Sequence, residues 1–136
     1  MFEAEIINAI ANINEASLLS TYYGRPSIFS GQAPEDIDFP YIVINIMETF
    51  PPDSIITKFD IDINIFDYSL SEVIVRELIF AITNNLDNII IQSERYADIR
   101  LRRNTTNKME VPDPRGIHYL MTFLARGSRE YWSKTI

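Results

Sequence analysis

Residues 59–66 read Phe59-Asp60-Ile61-Asp62-Ile63-Asn64-Ile65-Phe66, a regular alternation of apolar and polar side chains. Successive side chains of a β-strand point to opposite faces of the sheet. The apolar residues are therefore expected to pack on a core, while the polar ones meet water or a partner. We predict a strand over residues 55–66 and infer the rest of the fold outward from it.

The segment before this strand supplies its partner. Residues 41–47 form a β-branched, nearly continuous apolar run, which is typical of a central strand. We expect the two strands to pair antiparallel through the connection Pro51-Pro52-Asp53. Further upstream, residues 27–30 suggest a short strand, and the polar, acidic residues 31–38 suggest a surface loop.

Two stretches have helical periodicity. Apolar residues recur at helical spacing near the N-terminus, which predicts a helix over residues 2–19. A second stripe repeats Leu or Ile every four residues from Leu70 to Leu86, and Ser69 and Glu72 form a Ser-x-x-Glu capping box ahead of it. We predict the second helix over residues 70–86.

The C-terminal part contains the remaining strands. Residues 89–91 are a candidate short strand. Ile99 and Leu101 alternate with arginines, and residues 117–125 alternate again after a polar stretch, 104–116, that contains two prolines. This pattern predicts a hairpin with a long tip.

The order of these elements favours an α+β fold. Strands grouped around isolated helices, without strict βα alternation, indicate a mainly antiparallel sheet of about four to five strands with two helices packed on one face. The 136 residues correspond to one domain. We expect a single domain over residues 1–136, with 127–136 as a candidate C-terminal extension.

Composition narrows the function classes. The chain has a net charge of −7, which argues against binding nucleic acid through phosphate neutralisation. It has no cysteine and one histidine, which exclude disulfides, thiolate zinc sites and multi-histidine metal sites. Acidic residues Glu3 and Glu5 stand where a secretory signal needs basic ones, and the aliphatic runs are too short to cross a bilayer. We expect a soluble protein with no membrane partner.

Charge is unevenly distributed along the chain. Residues 1–74 carry twelve acids and two bases, a net charge of −10, whereas residues 75–136 carry ten bases and seven acids, a net charge of +3. If the two halves form different surfaces of one domain, the protein is electrostatically two-faced, a property suited to head-to-tail assembly.

No motif points to catalysis, a cofactor or a metal. A calcium loop at residues 60–71 fails because Ile65 replaces the required Gly and Ser71 replaces the bidentate Glu. His118 has no local partner that would make it a general base or a metal ligand, and the four glycines are scattered singly. We therefore assign no catalytic, cofactor-binding or metal residues.

Two segments are candidate contact surfaces. The basic segment from Arg95 to Arg115 is either a solvated hairpin or the surface that meets a neighbouring acidic face. Near the C-terminus, Tyr131 and Trp132 either pack on the domain or anchor a partner, since such residues dominate interface energetics.

The pattern over roughly residues 2–126 resembles the tail-completion or tail-terminator family of long-tailed bacteriophages and prophages. The resemblance rests on an N-terminal helix and four short motifs: Ala33-Pro34, Phe39-Pro40-Tyr41-Ile42-Val43-Ile44, Ile65-Phe66-Asp67 before a helix, and Asp113-Pro114-Arg115-Gly116-Ile117-His118. It implies a non-enzymatic α+β virion protein without a cofactor.

The resemblance also implies partners and a location. Such subunits form a ring, usually a hexamer, that caps the tail tube and joins it to the head-completion or connector protein, with DNA only as transiting cargo. The expected location is the head–tail interface of the virion, after synthesis in the bacterial cytoplasm.

Within that ring, charged residues are the candidate contacts. The lumen or the subunit interface is assigned Asp53, Asp60, Asp62 and Asn64, with complementary charge from Arg100, Arg102 and Arg103. Two alternatives stay open: a small non-viral α+β binding or adaptor module, and a small hydrolase with an acidic cleft.

Overall fold

A computed structural model describes residues 6, 8–10, 12, 28–35, 40–49, 56–68, 72–91 and 96–129. Its elements in chain order are β1 (Ile28–Ser30), β2 (Tyr41–Thr49), β3 (Ile56–Tyr68), α1 (Val73–Leu86), β4 (Ile90–Ile91), β5 (Tyr96–Met109) and β6 (Gly116–Arg129). Near the N-terminus, Ile6 and residues 8–10 are helical, in agreement with the predicted first helix. Asn12 is a turn residue, and the rest of residues 2–19 lies outside the described residues.

The strands form one six-stranded sheet in the order β1-β2-β3-β6-β5-β4. The α+β class is confirmed, but the expected four to five strands become six, and the sheet is mixed because β1 and β2 are parallel. The connection over residues 31–40 returns the chain to the end of the sheet where β1 began, and this reversal is what a parallel pair requires. The antiparallel pairing of β2 with β3 is as predicted.

The core lies between one face of the sheet and the helical residues. The predicted alternation of β3 is confirmed: its four odd-numbered apolar residues from Phe59 to Ile65 are at most 1% exposed. Ile63 lies in register between Ile44 of β2 and Met121 of β6, so the apolar positions form rows across the sheet. Helix α1 covers these rows with its buried stripe Val75, Leu78, Ala81, Ile82 and Leu86.

Helix α1 begins three residues later than predicted. The predicted capping box places Glu72 inside the first turn of the helix. In the structure Glu72 is instead the N-cap residue, and its side chain makes no capping hydrogen bond. The Glu72 carboxylate instead accepts hydrogen bonds from Lys108 and from Tyr119. Ser69, the other half of the predicted box, lies outside the described residues.

The C-terminal hairpin has longer strands than predicted. Strand β5 continues to Met109 and β6 begins at Gly116, so the prediction of a tip over residues 104–116 was wrong for 104–109. These polar residues pair with β6 across a register shift between Arg103 and Thr105. At the other end, Gly127 pairs with both Thr57 and Ile99, which places the first residues of the candidate extension in the sheet.

Candidate functional site

The strands β2, β3, β6 and β5 share a second face, opposite the helix, which we call the open face. No described element packs on it. Cross-strand neighbours lie on the same side of a sheet, so the register defines its members: Tyr41, Val43, Asn45, Met47, Lys58, Asp60, Asp62, Asn64, Phe66, His118, Leu120, Thr122, Leu124, Arg126, Arg100, Arg102, Thr105, Asn107 and Met109.

One end of the open face carries an aromatic row. The rings of Tyr41 and Phe66 stack with centroids 5.0 Å apart, and Phe66 stacks on the His118 imidazole at 4.2 Å. Phe29 of β1 contacts Tyr41 edge to face at 6.3 Å. These contacts link four neighbouring strands, and burial in the row raises the pKa of the Tyr41 hydroxyl.

His118 is held by hydrogen bonding as well as by stacking. Its Nε2–H donates to Asn64 Oδ1 at 2.8 Å, because an amide oxygen can only accept. Burial lowers the pKa of the imidazole below its ordinary value, since removal from water disfavours the charged form. The stacking and the hydrogen bond together fix the orientation of the imidazole in the open face.

The other end of the open face is charged and partly apolar. One row crosses four strands through Met47, Asp60, Leu124 and Arg102, and the next row contains Lys58, Arg126 and Arg100. Met47 is 68% exposed and Leu124 is 47% exposed. Acids, bases and exposed apolar side chains alternate here, which is the chemistry of a protein contact surface more than of a cleft.

A shallow groove runs between the open face and the loop that follows β1. The loop residues Gly31 to Glu35 form one wall, and Tyr41, Val43 and Asn64 contribute to the floor. Gly31 has φ +80°, a conformation that side chains with a Cβ rarely adopt, so glycine is suited to this turn. The wall includes Ala33-Pro34, one of the motifs that carries the family resemblance.

On the opposite face, a network joins the start of α1 to the hairpin. Glu72 accepts hydrogen bonds from Lys108 Nζ, from Tyr119 Oη at 2.9 Å and from Arg76 at 3.4 Å. The Lys108 contact is the main cause that lowers the pKa of Glu72, and the same contact raises the pKa of Lys108. Burial, followed by the Glu72 contact, raises the pKa of Tyr119.

The tip of the hairpin is fastened to the end of β3. Tyr68 Oη donates to Asp113 Oδ2 at 2.9 Å, and the Arg115 guanidinium lies 4.6 Å from the centre of the Tyr68 ring and donates to its hydroxyl. The N–H of Arg115 donates to Asp113 Oδ1, and this bond, with that from Tyr68, lowers the pKa of Asp113. A Cβ at Gly116 would lie 2.9 Å from Val111 Cγ2, so this turn requires glycine.

Asp67 is the buried acid of the described residues. It is 6% exposed, burial raises its pKa, and the N–H of Tyr68 donates to its Oδ1 at 2.7 Å, which acts in the opposite direction. Its cross-strand partner is the buried Ile117, so it lies on the helix side of the sheet and not in the groove. Among the described residues, no group of three or more metal-ligating side chains comes together.

The charged residues selected from the sequence divide between the two faces. Asp60, Asp62, Asn64, Arg100 and Arg102 all share the open face, so these acids and arginines lie on one surface of the sheet.

Arg103 pairs with the buried Phe123, and it therefore lies on the helix side. Adjacent residues of a strand alternate between faces, so Arg103 does not share the open face with Arg100 and Arg102. Asp53, Tyr131 and Trp132 lie outside the described residues.

Sequence reasoning missed the network at Glu72 and the contacts of Tyr68. The residues Asp113-Pro114-Arg115-Gly116 predicted a turn. No local pattern indicates that this turn contacts Tyr68, because Tyr68 lies 45 residues before Asp113 in the chain. Within the described part of the chain, no helix is both long and apolar enough to span a bilayer.

Comparison with known proteins gives a match in structure but not in sequence. No protein-family model matches the chain, and no curated protein matches it in sequence. Among solved structures, the chain is similar to one described as belonging to the virion of a native gene transfer agent particle, with a TM-score of 0.71 and 13% sequence identity. The match covers 92% of both chains. At this identity the likeness shows a shared fold.

Proposed function

We propose that this chain is a structural protein of a phage-like virion and, more specifically, a tail terminator that joins the tail tube to the head connector. The observation that carries the proposal is the fold shared with a virion chain over 92% of both molecules. The end-to-end match means that the whole domain corresponds, not one common motif.

The motifs that resemble the tail-terminator family support the finer assignment. They fall at distinct positions of the fold: Ala33-Pro34 in the loop after β1, residues 40–44 at the start of β2, and Asp113 to Gly116 in the turn before β6. In the finer proposal the subunits form a ring, a hexamer by analogy with that family, and its partners are the tail tube protein and the head-completion protein.

The dimensions of the domain suit such a ring. A chain of 136 residues has a radius of gyration of about 14 Å. A sphere with this radius of gyration is about 36 Å across. Six such spheres that touch in a ring leave a central hole of roughly the same width. A DNA duplex passes through such a hole as cargo, and the protein acts without a catalytic residue, cofactor or metal.

The general and the finer proposal have separate tests. If the chain is a virion structural protein, mass spectrometry of particles purified from the producing strain finds it at a fixed stoichiometry to the other virion proteins. If it is a terminator, deletion of its gene leaves heads and tails that assemble but stay unjoined in electron micrographs, and expression from a plasmid restores complete particles.

Each result has a contrary outcome. Absence of the chain from purified particles, together with its recovery in a complex with a cellular protein, contradicts a virion role and supports the adaptor alternative. Complete, DNA-filled particles from the deletion strain contradict the terminator role alone. Genes for a connector and a tail tube beside the gene for this chain would agree with the proposal.

A further inference from the structure

The sheet is electrostatically divided from side to side. Residues 28–68, which contain β1 to β3, carry eight acids and one base, a net charge of −7. Residues 90–129, which contain β4 to β6, carry eight bases and four acids, a net charge of +4. The strand order places β1, β2 and β3 together on one lateral half and β6, β5 and β4 on the other. The charge asymmetry of the sequence therefore runs across the sheet.

The basic half ends in a strand edge that is partly open. On the outer side of β5, β4 pairs with Ile99 and Arg100, Asn88 N–H donates to the carbonyl of Leu101, and Asp87 Oδ1 accepts the N–H of Arg103 at 2.9 Å. Beyond Arg103, no described strand lies on this outer side of Asn104–Met109, whose inner side pairs with β6. An edge of this kind presents N–H and C=O groups that another strand can pair with.

The acidic half ends in β1. This strand has three residues and pairs on one side with β2, and among the described residues no strand lies on its other side. The exposed Glu35 follows in the next loop. The two lateral halves of the sheet thus differ in net charge, and each half ends in a strand edge.

We propose that neighbouring copies of this chain associate side by side, with the edge Asn104–Met109 of one copy against the β1 rim of the next. Opposite charge on the two halves steers this orientation and opposes the pairing of like rims. The contact joins different surfaces, so each added copy leaves one rim of each kind free, and repetition of the same contact closes a ring. The ring closure, but not the contact itself, rests on the proposed function.

A different arrangement is conceivable from the apolar surface. Phe80 is 70% exposed on the outer side of α1, and Leu124 is 47% exposed on the open face. Stacking of the open face of one copy on the helix of the next would cover both side chains. It would leave the lateral separation of charge without a role, and it is the arrangement that the test must separate from ours.

Thiol cross-linking distinguishes the two arrangements because the chain has no cysteine of its own. We would introduce Ser30→Cys at the β1 rim and Asn107→Cys at the β5 rim, both at exposed positions. Within one subunit β1 and β5 are four strand spacings apart, roughly 19 Å, so a short bismaleimide bridges the two cysteines only between copies. Thermal melts that match the unmodified chain establish that each variant is folded.

Side-by-side association predicts a specific set of products. The double variant gives a ladder that ends at the size of the ring, an equal mixture of the two single variants gives dimers only, and each single variant alone gives monomer. The matched control, Phe80→Cys with Leu124→Cys, gives no ladder. A ladder from this control pair, or dimers from Leu124→Cys alone, overturns the inference, and so does the absence of rim cross-links in isolated rings.

The experiment is carried out on purified particles as well as on the isolated protein, so that the two proposals fail separately. Particles that contain the chain but give no rim cross-links leave the virion role intact and reject the interface. Rim cross-links in solution, with the chain missing from particles, support the interface and reject the virion role.

Discussion

Two regions of the sheet, which we call its apolar half and its polar half, are built by different means. In the apolar half, which includes β2, β3 and the buried residues of β5 and β6, apolar residues alternate with polar ones, and the odd-numbered residues from Phe59 to Ile65 are buried under the helix. In the distal half of the β5–β6 hairpin, the residues from Asn104 to Met109 are largely exposed and polar. Burial determines the first structure, whereas specific side-chain contacts hold the second.

The contacts of the hairpin are spread along its length. Thr105 Oγ1 and Thr122 Oγ1 are 2.6 Å apart, Lys108 binds Glu72, and Arg115 packs on Tyr68. Each is a polar contact at the surface, and such contacts individually contribute little to stability. The comparison therefore predicts unequal responses of the two halves to mutation.

The largest effect is expected for Ile63→Ala in the apolar half. Ile63 is fully buried between Ile44 and Met121, so its truncation leaves a cavity and lowers the free energy of unfolding by about 2–5 kcal/mol. Asn107→Ala in the polar half is the matched control, with an expected change of about 0.5 kcal/mol or less. Urea unfolding followed by circular dichroism measures both. Equal losses of unfolding free energy in the two variants would show that residues 104–109 contribute as much to stability as the buried core, and would contradict the comparison.

The same difference explains what could be predicted from the sequence. Residues 59–66, residues 41–47 and the helix were predictable because burial favours apolar residues, either in a continuous run or at the regular spacing of a strand or a helix. Residues 104–109 were not, since an exposed edge strand needs no apolar alternation and its polar residues resemble a loop.

The six-strand order and the parallel β1–β2 pair depend on long-range pairing that no local pattern records. The simple alternation of a strand, by contrast, suffices to place Arg103 on the face opposite Arg102. The roles of the charged surface residues stay predictions, because their placement does not reveal what they contact in an assembly.

A smaller effect is expected when charge is reversed in the basic half. Arg102→Glu places an acid near the β5 rim, so association with the acidic half of a neighbour weakens, by roughly fivefold per contact if the change costs about 1 kcal/mol. Arg126→Glu is the matched control, because it makes the same charge change on the same face but on the central strand β6. Light scattering at several concentrations measures the oligomer mass. An unchanged mass for Arg102→Glu, or equal weakening in both variants, contradicts the assignment.

The Glu72 network connects the hairpin to the helix, and its contribution depends on pH. Because Lys108 lowers the pKa of Glu72 in the folded state, the stabilisation is present above the unfolded value of about 4.3 and is lost as the pH falls through the folded value. The raised pKa of Lys108 gives the opposite limit: stabilisation is present below about 10.4 and is lost as the pH rises through the folded value.

Glu72→Gln is therefore expected to lower the midpoint of thermal unfolding at pH 7 and to converge with the unmodified chain as the pH falls through the lowered pKa of Glu72. The control is Glu77→Gln, at an exposed position of the same helix. If the two variants show the same pH profile, the network does not fasten the hairpin to the helix.

The smallest effect concerns His118, which lies on β6 where the two halves meet. It is the only histidine of the chain, so its NMR titration has a single imidazole signal. Burial against Phe66 lowers its pKa, and the midpoint is expected below the ordinary value of about 6.5. The unfolded chain then binds the proton more readily, so stability is complete above about pH 6.5 and declines slightly as the pH falls below that value.

Phe66→Ala admits water and moves the midpoint of the His118 titration back toward 6.5. Leu124→Ala leaves the midpoint unchanged, because Leu124 is on the same strand and face as His118 but six residues away. A midpoint at or above 6.5 in the unmodified chain would mean that the imidazole is solvated, and that the aromatic row does not join the two halves.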